Sequence, residues 1–111
     1  MDKTLPTSLS KMSILAIRSL GSMIKGCRLE RGITQQDLAD RINVSRYTII
    51  AIERGNPKVA VGVIFEAAYI VGIPLLAYNR EELKHLSLNL SSLATILPKR
   101  STLGRKNNDE D

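Results

Sequence analysis

Apolar residues recur every three or four positions along the first part of this chain, a spacing that places them on one face of an α-helix. The first such stretch runs from Ile14 to Arg31, and its apolar positions are Ile17, Leu20, Ile24 and Cys27. Gly32 follows, and a glycine just past the last turn is typical of a helix end. The pattern predicts a first helix here, after a flexible N-terminal arm over residues 1–12.

Two shorter helices are predicted by their capping residues as well as by their apolar positions. Thr34 is placed to cap the second helix, with the acidic Asp37 three residues further on, near the helix N-terminus. Asn43 tolerates a left-handed backbone and therefore suits a tight turn. Ser45 can cap the third helix, which ends at Gly55.

The segment from Val59 to Tyr78 is almost continuously apolar, but we do not interpret it as a membrane span, because Glu66 lies inside it and Pro74 breaks it. A buried helix to about Val71 and then an extended strand fits better. A single strand in a helical protein leaves backbone groups unpaired, so we expect it to pair with the same strand of a second copy. The expected dimerisation residues are Ile73, Leu75, Leu76, Ala77 and Tyr78.

A last helix is predicted after Asn79, which can cap it with Glu82 three residues later. Its leucines are spaced three, four, three and four apart, at Leu83, Leu86, Leu90, Leu93 and Leu97. This stripe has three alternative partners: its own domain, a second copy or another protein. Pro98 ends the helix, and residues 99–111 form a mobile tail.

Composition and charge narrow the possible functions. The chain has 111 residues and a net charge of +5, and residues 1–60 hold ten Lys and Arg against five Asp and Glu. A basic first half suggests a polyanionic partner, with a merely solvated basic surface as the alternative. Cys27 is the single cysteine and His85 the single histidine, so we expect no disulfide, metal site or cofactor. No catalytic motif is present, so we expect no enzyme, and no secretory leader, so we expect a cytoplasmic protein.

The segment from Gln35 to Arg54 has the residue sizes that a helix-turn-helix requires, since two short helices must cross at a steep angle there. Ala39 is small where the helices nearly touch. Apolar residues fill the junction at Leu38, Ile42, Val44, Ile49 and Ile52. Asn43 stands where the turn usually has a glycine.

With these residues the chain resembles the lambda-repressor-like family of regulators, the Cro/C1 or XRE type, over about residues 18–73. The resemblance is carried by Leu20, Ile24, Arg28, Gly32, Ile33, Thr34, Gln35, Leu38, Ala39, Val44, Ser45, Ile49, Ile52, Glu53 and Gly55. It implies an all-α fold whose helix-turn-helix domain covers residues 13–72. It also implies binding to double-stranded operator DNA as a homodimer. The expected dimerisation strand and C-terminal helix would cover residues 73–98.

The resemblance also implies how DNA is contacted. In this family the third helix enters the major groove, and its groove-facing positions match Arg46, Tyr47, Ile50 and Ala51. For Arg46 and Tyr47, solvation or a phosphate contact is the alternative to base readout.

Other positions are expected to contact phosphates or to support the fold. Gln35 matches the family's phosphate-binding glutamine, and further phosphate candidates near helix N-termini are Ser45, Thr48, Asn56 and Lys58. Arg28 and Glu53 match a pair that forms a partly buried salt bridge and orients the third helix.

The predicted strand after the helix-turn-helix domain resembles, more loosely, the arrangement of HipB-type antitoxins. That resemblance implies a repressor of its own operon that also neutralises a HipA-type serine/threonine kinase toxin. The alternative is a stand-alone, phage-type repressor of the XRE family, with the same DNA contacts and no toxin partner.

Overall fold

A computed structural model describes residues 8–96, which form five helices and contain no strand. The helices are α1 (Lys11–Glu30), α2 (Gln35–Ile42), α3 (Arg46–Glu53), α4 (Val61–Ile70) and α5 (Arg80–Ile96). Helices α1 to α4 belong to one compact unit that ends at Leu75, and α5 belongs to a second unit. The predicted all-helical class is confirmed.

Local hydrogen bonds explain where the first two helices begin. The hydroxyl of Ser10 accepts the backbone N–H of Ser13 at 3.0 Å, so α1 begins at Lys11, earlier than its apolar pattern suggested. In α2, Thr34 Oγ1 accepts the N–H of Asp37 at 2.9 Å, and the Asp37 carboxylate accepts the N–H of Thr34 at 3.2 Å. This reciprocal pair satisfies two N–H groups that a helix start leaves open.

Two residues with positive φ angles produce the tight connections. Gly32 has a φ of 70°, and beside it the N–H of Ile33 donates to the carbonyl of Arg28 at 3.1 Å, which closes α1. Asn43 has a φ of 59° and ends α2. The predicted turn at Asn43 is therefore confirmed, and it leaves only two residues between α2 and Ser45, the cap of α3.

The core of the first unit is small and apolar. Ala39 lies fully buried at the α2–α3 junction, and Ala67 and Ala68 are equally buried on α4. The other buried apolar residues are Ile24, Leu38, Ile49, Ile52, Val71 and Ile73. Because each of the four helices supplies at least one member, the core fixes their mutual orientation.

The predicted strand over Ile73–Tyr78 is not found. Ile73 is buried in the core of its own unit, and its N–H donates to the carbonyl of Ala68 at the end of α4. Leu75 packs partly against the same core. Leu76 has a φ of 68°, which no extended strand adopts, and Ala77 and Tyr78 continue in bends. Ile73 and Leu75 are thus packed within their own unit, and the rest of the segment is not extended.

The described part of the second unit, residues 76–96, contains helix α5. Its predicted cap is confirmed, since Asn79 Oδ1 accepts the N–H of Glu82 at 2.9 Å, and the Glu82 carboxylate accepts the N–H of Tyr78 at 2.9 Å. Four leucines of α5, namely Leu83, Leu88, Leu90 and Leu93, are 39–58% exposed.

Some predictions lie outside the described residues: most of the arm over residues 1–12, the last leucine of the stripe, Leu97, and the tail over residues 99–111. Within the described part of the chain, no helix is both long and apolar enough to cross a lipid bilayer.

Candidate nucleic-acid interface

Helix α3 presents two different faces. Ile49 and Ile52 point into the core, with exposures of 0% and 3%. The four positions expected to face a DNA groove lie on the other side, because 46 and 50 are one turn apart and so are 47 and 51. Arg46 and Tyr47 are exposed, whereas Ile50 and Ala51 are half-buried. The outer face of α3 therefore has two long, exposed side chains, and beside them lies a half-buried apolar surface formed by Ile50 and Ala51.

The N-terminus of α3 is held by its cap. Ser45 Oγ accepts the N–H of Thr48 at 3.3 Å and lies 3.2 Å from the Thr48 hydroxyl. Both hydroxyls therefore have a partner within the cap. Ser45 is exposed and Thr48 half-buried, so of these two phosphate candidates Ser45 is the more accessible.

A buried ion pair joins α1 to the C-terminal end of α3. Arg28 donates to Glu53 from Nε at 2.6 Å and from Nη2 at 3.0 Å, and the two side chains are 7% and 4% exposed. Arg28 Nη1 also donates to the carbonyl of Ile33 at 2.9 Å. Because the guanidinium of Arg28 binds both Glu53 of α3 and the backbone after α1, it orients α3 against the end of α1.

Gln35 is part of the same network. Its Nε2 atom donates to Glu53 Oε1 at 3.1 Å, so the carboxylate of Glu53 accepts three N–H groups from two side chains. Gln35 is also the first residue of α2, where backbone N–H groups lack helical acceptors. A phosphate at this helix start would meet a side chain whose position is already set.

Six of the nine predicted contact residues line two shallow depressions that border α3. Gln35 and Arg46 share the first, together with the start of α2. Tyr47, Ala51 and Lys58 share the second, which lies between α3 and the beginning of α4.

Asn56 stabilises the turn that carries Lys58. Its Oδ1 accepts the backbone N–H of Lys58 at 2.8 Å, which leaves the amide NH₂ group of Asn56 able to donate outward. Both residues are exposed. The turn after α3 thus offers an amide donor and a cation beside the second depression.

Gly21 is important for this geometry, and it was not among the predicted site residues. A Cβ atom at Gly21 would clash with the carbonyl oxygen of Ile52 and lie 3.1 Å from that of Glu53. Only a glycine lets α1 approach the backbone of α3 this closely. A signal was present in the sequence, since glycine is a poor helix former and Gly21 stands inside the apolar pattern of α1.

One carboxyl group beside the site has a shifted pKa. The N–H of Thr34 holds the pKa of Asp37 below its ordinary value, and the Thr34 hydroxyl acts in the same direction. The shift therefore has its cause in the cap of α2. Among the described residues, no cluster of His, Cys, Asp or Glu is arranged to hold a metal ion.

Comparisons with known proteins agree with this geometry. A family model described as helix-turn-helix matches residues 24–76. An uncharacterized HTH-type transcriptional regulator of Methanothermobacter thermautotrophicus is 50% identical over 35 residues, which are 32% of this chain and 51% of the relative. Another, of Methanocaldococcus jannaschii, is 38% identical over 52 residues, or 47% of this chain and 79% of the relative. The chain thus spans about half of the first relative and about four fifths of the second.

Proposed function

This chain belongs to the helix-turn-helix family of transcriptional regulators, and we propose that it acts as a repressor, binding operator DNA in the cytoplasm as a dimer and reading base edges with α3. The observation that carries this proposal is the exposure of Arg46 and Tyr47 on a helix whose opposite face is locked into the core. A specific contact with a base requires that the helix carrying the side chain has a fixed position. The buried face of α3 provides that fixed position.

Arg46 is the main candidate for base recognition. It stands at the first position of α3, and the N-terminal residues of a recognition helix reach the base edges of the major groove. A guanidinium can donate two hydrogen bonds to the O6 and N7 atoms of guanine, a contact worth roughly 1–3 kcal/mol of discrimination. Tyr47 adds a phenol, while Ile50 and Ala51 offer apolar contact to a thymine methyl group.

Phosphate contacts would fix the register of the protein on the duplex. Gln35 and Arg46 line one depression and Lys58 lines the other, so two separate surfaces beside α3 would be available to phosphates of the duplex. Asn56 and Ser45 supply further hydrogen-bonding groups beside these positions. Such contacts carry affinity without sequence information.

Dimerisation remains part of the proposal, without the strand. Two copies on a palindromic operator would place their α3 helices about 34 Å apart, one turn of DNA. The exposed leucines of α5 are one candidate contact between the copies. A sedimentation measurement of the free protein, with and without Leu90→Arg, tests that contact. A variant that remains dimeric assigns the contact elsewhere.

The stand-alone repressor is the form of this proposal that we favour. The HipB-type antitoxin interpretation depended on the strand over residues 73–78, which the described residues do not contain. The HipA-type kinase partner stays a prediction. Purification of the tagged protein from its native cells at native expression tests it, since an antitoxin would co-purify with a kinase in near-stoichiometric amount, and a stand-alone repressor would not.

Selection of duplexes from a random DNA pool, followed by affinity measurements, tests the role of Arg46. We expect Arg46→Ala to weaken binding to the selected site by about 5- to 150-fold, with much less effect on unrelated DNA. Arg54→Ala is the matched control, because it removes the same charge from an exposed position at the other end of α3. Equal losses on both DNAs would refute base readout by Arg46.

The phosphate role of Gln35 has a different signature. Gln35→Ala should weaken binding to all duplexes by a similar factor and leave the selected sequence unchanged. Gln36→Ala is the control, since Gln36 is exposed and its amide donates to Asp40 on the same helix. A shifted base preference in Gln35→Ala would count against a phosphate contact.

A further inference from the structure

The outer side of α1 is an exposed surface that DNA binding does not explain. We call this surface the outer face of α1 and define it as Met12, Leu15, Ala16, Ser19, Ser22, Met23 and Gly26. All seven residues are exposed, and Met12, Leu15 and Met23 are 74%, 61% and 52% exposed. A Cβ atom added at Gly26 would meet nothing within 4 Å.

This face lacks the charges that a solvent-facing helix side ordinarily carries. It contains no charged residue over four turns, although the chain as a whole is 24% charged. Its central positions, Met12, Leu15, Ser19, Ser22 and Gly26, are spaced three, four, three and four apart. That spacing keeps a seam facing one neighbouring helix along its length. The small residues in the middle leave room for large side chains from such a neighbour.

One edge of the face is basic. Lys11, Arg18 and Lys25 follow each other at intervals of seven residues, so they form a row beside the seam. The described residues supply no carboxylate partner to any of the three. The other edge carries Ala16 and Met23. The two edges therefore differ in charge, which favours a partner with acidic residues on the matching side.

We propose that the outer face of α1 docks an amphipathic helix of another protein, with large apolar side chains at its seam and acidic residues along one edge. A second copy of this chain fits less well. An antiparallel pair would bring the basic rows of both copies together, and a parallel pair would place Lys11 and Arg18 beside Ala16 and Met23. Because Ser19, Ser22 and Gly26 are small, two copies would also bury little apolar area against each other.

Two synthetic helical peptides test the proposal. Both carry leucine at the seam positions of three heptads, and they differ only in having glutamate or lysine at the flanking positions. The labelled peptides are titrated with the full chain, at a peptide concentration too low for self-association, and followed by fluorescence anisotropy. We expect the glutamate peptide to bind at least about 10-fold more tightly than the lysine peptide.

Variants locate the binding. Lys11→Glu combined with Lys25→Glu should reverse the preference between the peptides, and Ser19→Arg should abolish binding of both. Arg18 is left unchanged because it packs against Gly55. Leu90→Arg is the control on α5 and should leave binding unaltered. Circular dichroism and thermal unfolding verify that each variant is folded.

Three outcomes of the peptide titrations would overturn the proposal: no binding of either peptide, a charge preference that the double reversal does not change, or loss of binding in Leu90→Arg with binding retained in Ser19→Arg. Self-association of the chain that Ser19→Arg abolishes would identify a second copy as the occupant, and would equally contradict an acidic partner helix.

Discussion

Helices α1 and α5 have the same apolar spacing, but they differ in how far their apolar side chains are exposed. In α1, Ile24 is completely buried, and Leu20 and Cys27 pack against the same core. In α5, Leu90 and Leu93 stand at equivalent intervals and are 52% and 48% exposed. Both helices are capped by a polar residue, Ser10 and Asn79, so their local structure has the same origin.

The difference lies in what surrounds each stripe. The inner side of α1 meets the backbone of α3 at Gly21, and the buried pair of Arg28 and Glu53 joins the same two helices. The described hydrogen bonds of α5 are all local, such as the one from Thr95 to Ser91. Periodicity thus determines which side of a helix is apolar, and the complementary surface determines whether that side contributes to stability.

Loss of the ion pair in the first unit is expected to have the greatest effect. Arg28→Ala leaves the buried carboxylate of Glu53 with only the Gln35 amide as a partner, which should lower the free energy of unfolding by about 3–5 kcal/mol. Urea denaturation followed by circular dichroism measures the loss.

The double variant Arg28→Met and Glu53→Met is the control for this prediction. It removes both charges, so most of the lost stability should return. A double variant that is as unstable as Arg28→Ala would show that packing of the arginine, and not the stranded carboxylate, is the main contribution.

A pair of truncations compares the two apolar stripes directly. Ile49→Ala removes a fully buried side chain and should lower the free energy of unfolding by about 2–5 kcal/mol. Leu90→Ala removes a half-exposed one and should change it by no more than about 0.5 kcal/mol. Thermal or urea unfolding at low protein concentration gives both values. A large, concentration-dependent effect of Leu90→Ala would mean that α5 is buried in an assembly.

Two glycines of α1 test the close contact with α3. Gly21→Ala forces a Cβ atom against the Ile52 carbonyl, so we expect a loss of about 1–3 kcal/mol and weaker operator binding as α3 shifts. Gly26→Ala lies in open space on the same helix and should stabilise the protein by about 0.5–1 kcal/mol. If both variants behave alike, the approach of α1 to α3 does not position the recognition helix.

The capping box of α2 predicts a small dependence of stability on pH. Because the pKa of Asp37 is lowered in the folded state, its contribution is complete above the ordinary carboxyl pKa and is lost as the pH falls through the lowered value. The stability difference between the wild type and Asp37→Asn should therefore shrink on going from pH 6 to pH 3. Asp40→Asn, on the same helix, serves as the control. A difference that stays constant over this range would exclude ionisation of Asp37 as its cause.

Much of the site could be anticipated from residue types at fixed spacings. The caps at Thr34 and Ser45 and the turn at Asn43 are local features, set by hydrogen bonds within a few residues, and the structure contains all three. The hydrogen bond from Gln35 to Glu53 was not anticipated, because it joins residues 18 positions apart.

The amino-acid sequence by itself determined the helices, their ends and the apolar side of each, because capping and periodicity act over one or two turns. The tertiary structure decided the rest. Position 21 must be a glycine because the backbones of α1 and α3 approach each other there. The segment from Ile73 onward is not a strand, because Ile73 is buried in the core and its N–H donates to the end of α4. These outcomes depend on which surfaces meet in space, and that information is not carried by the local pattern of residues.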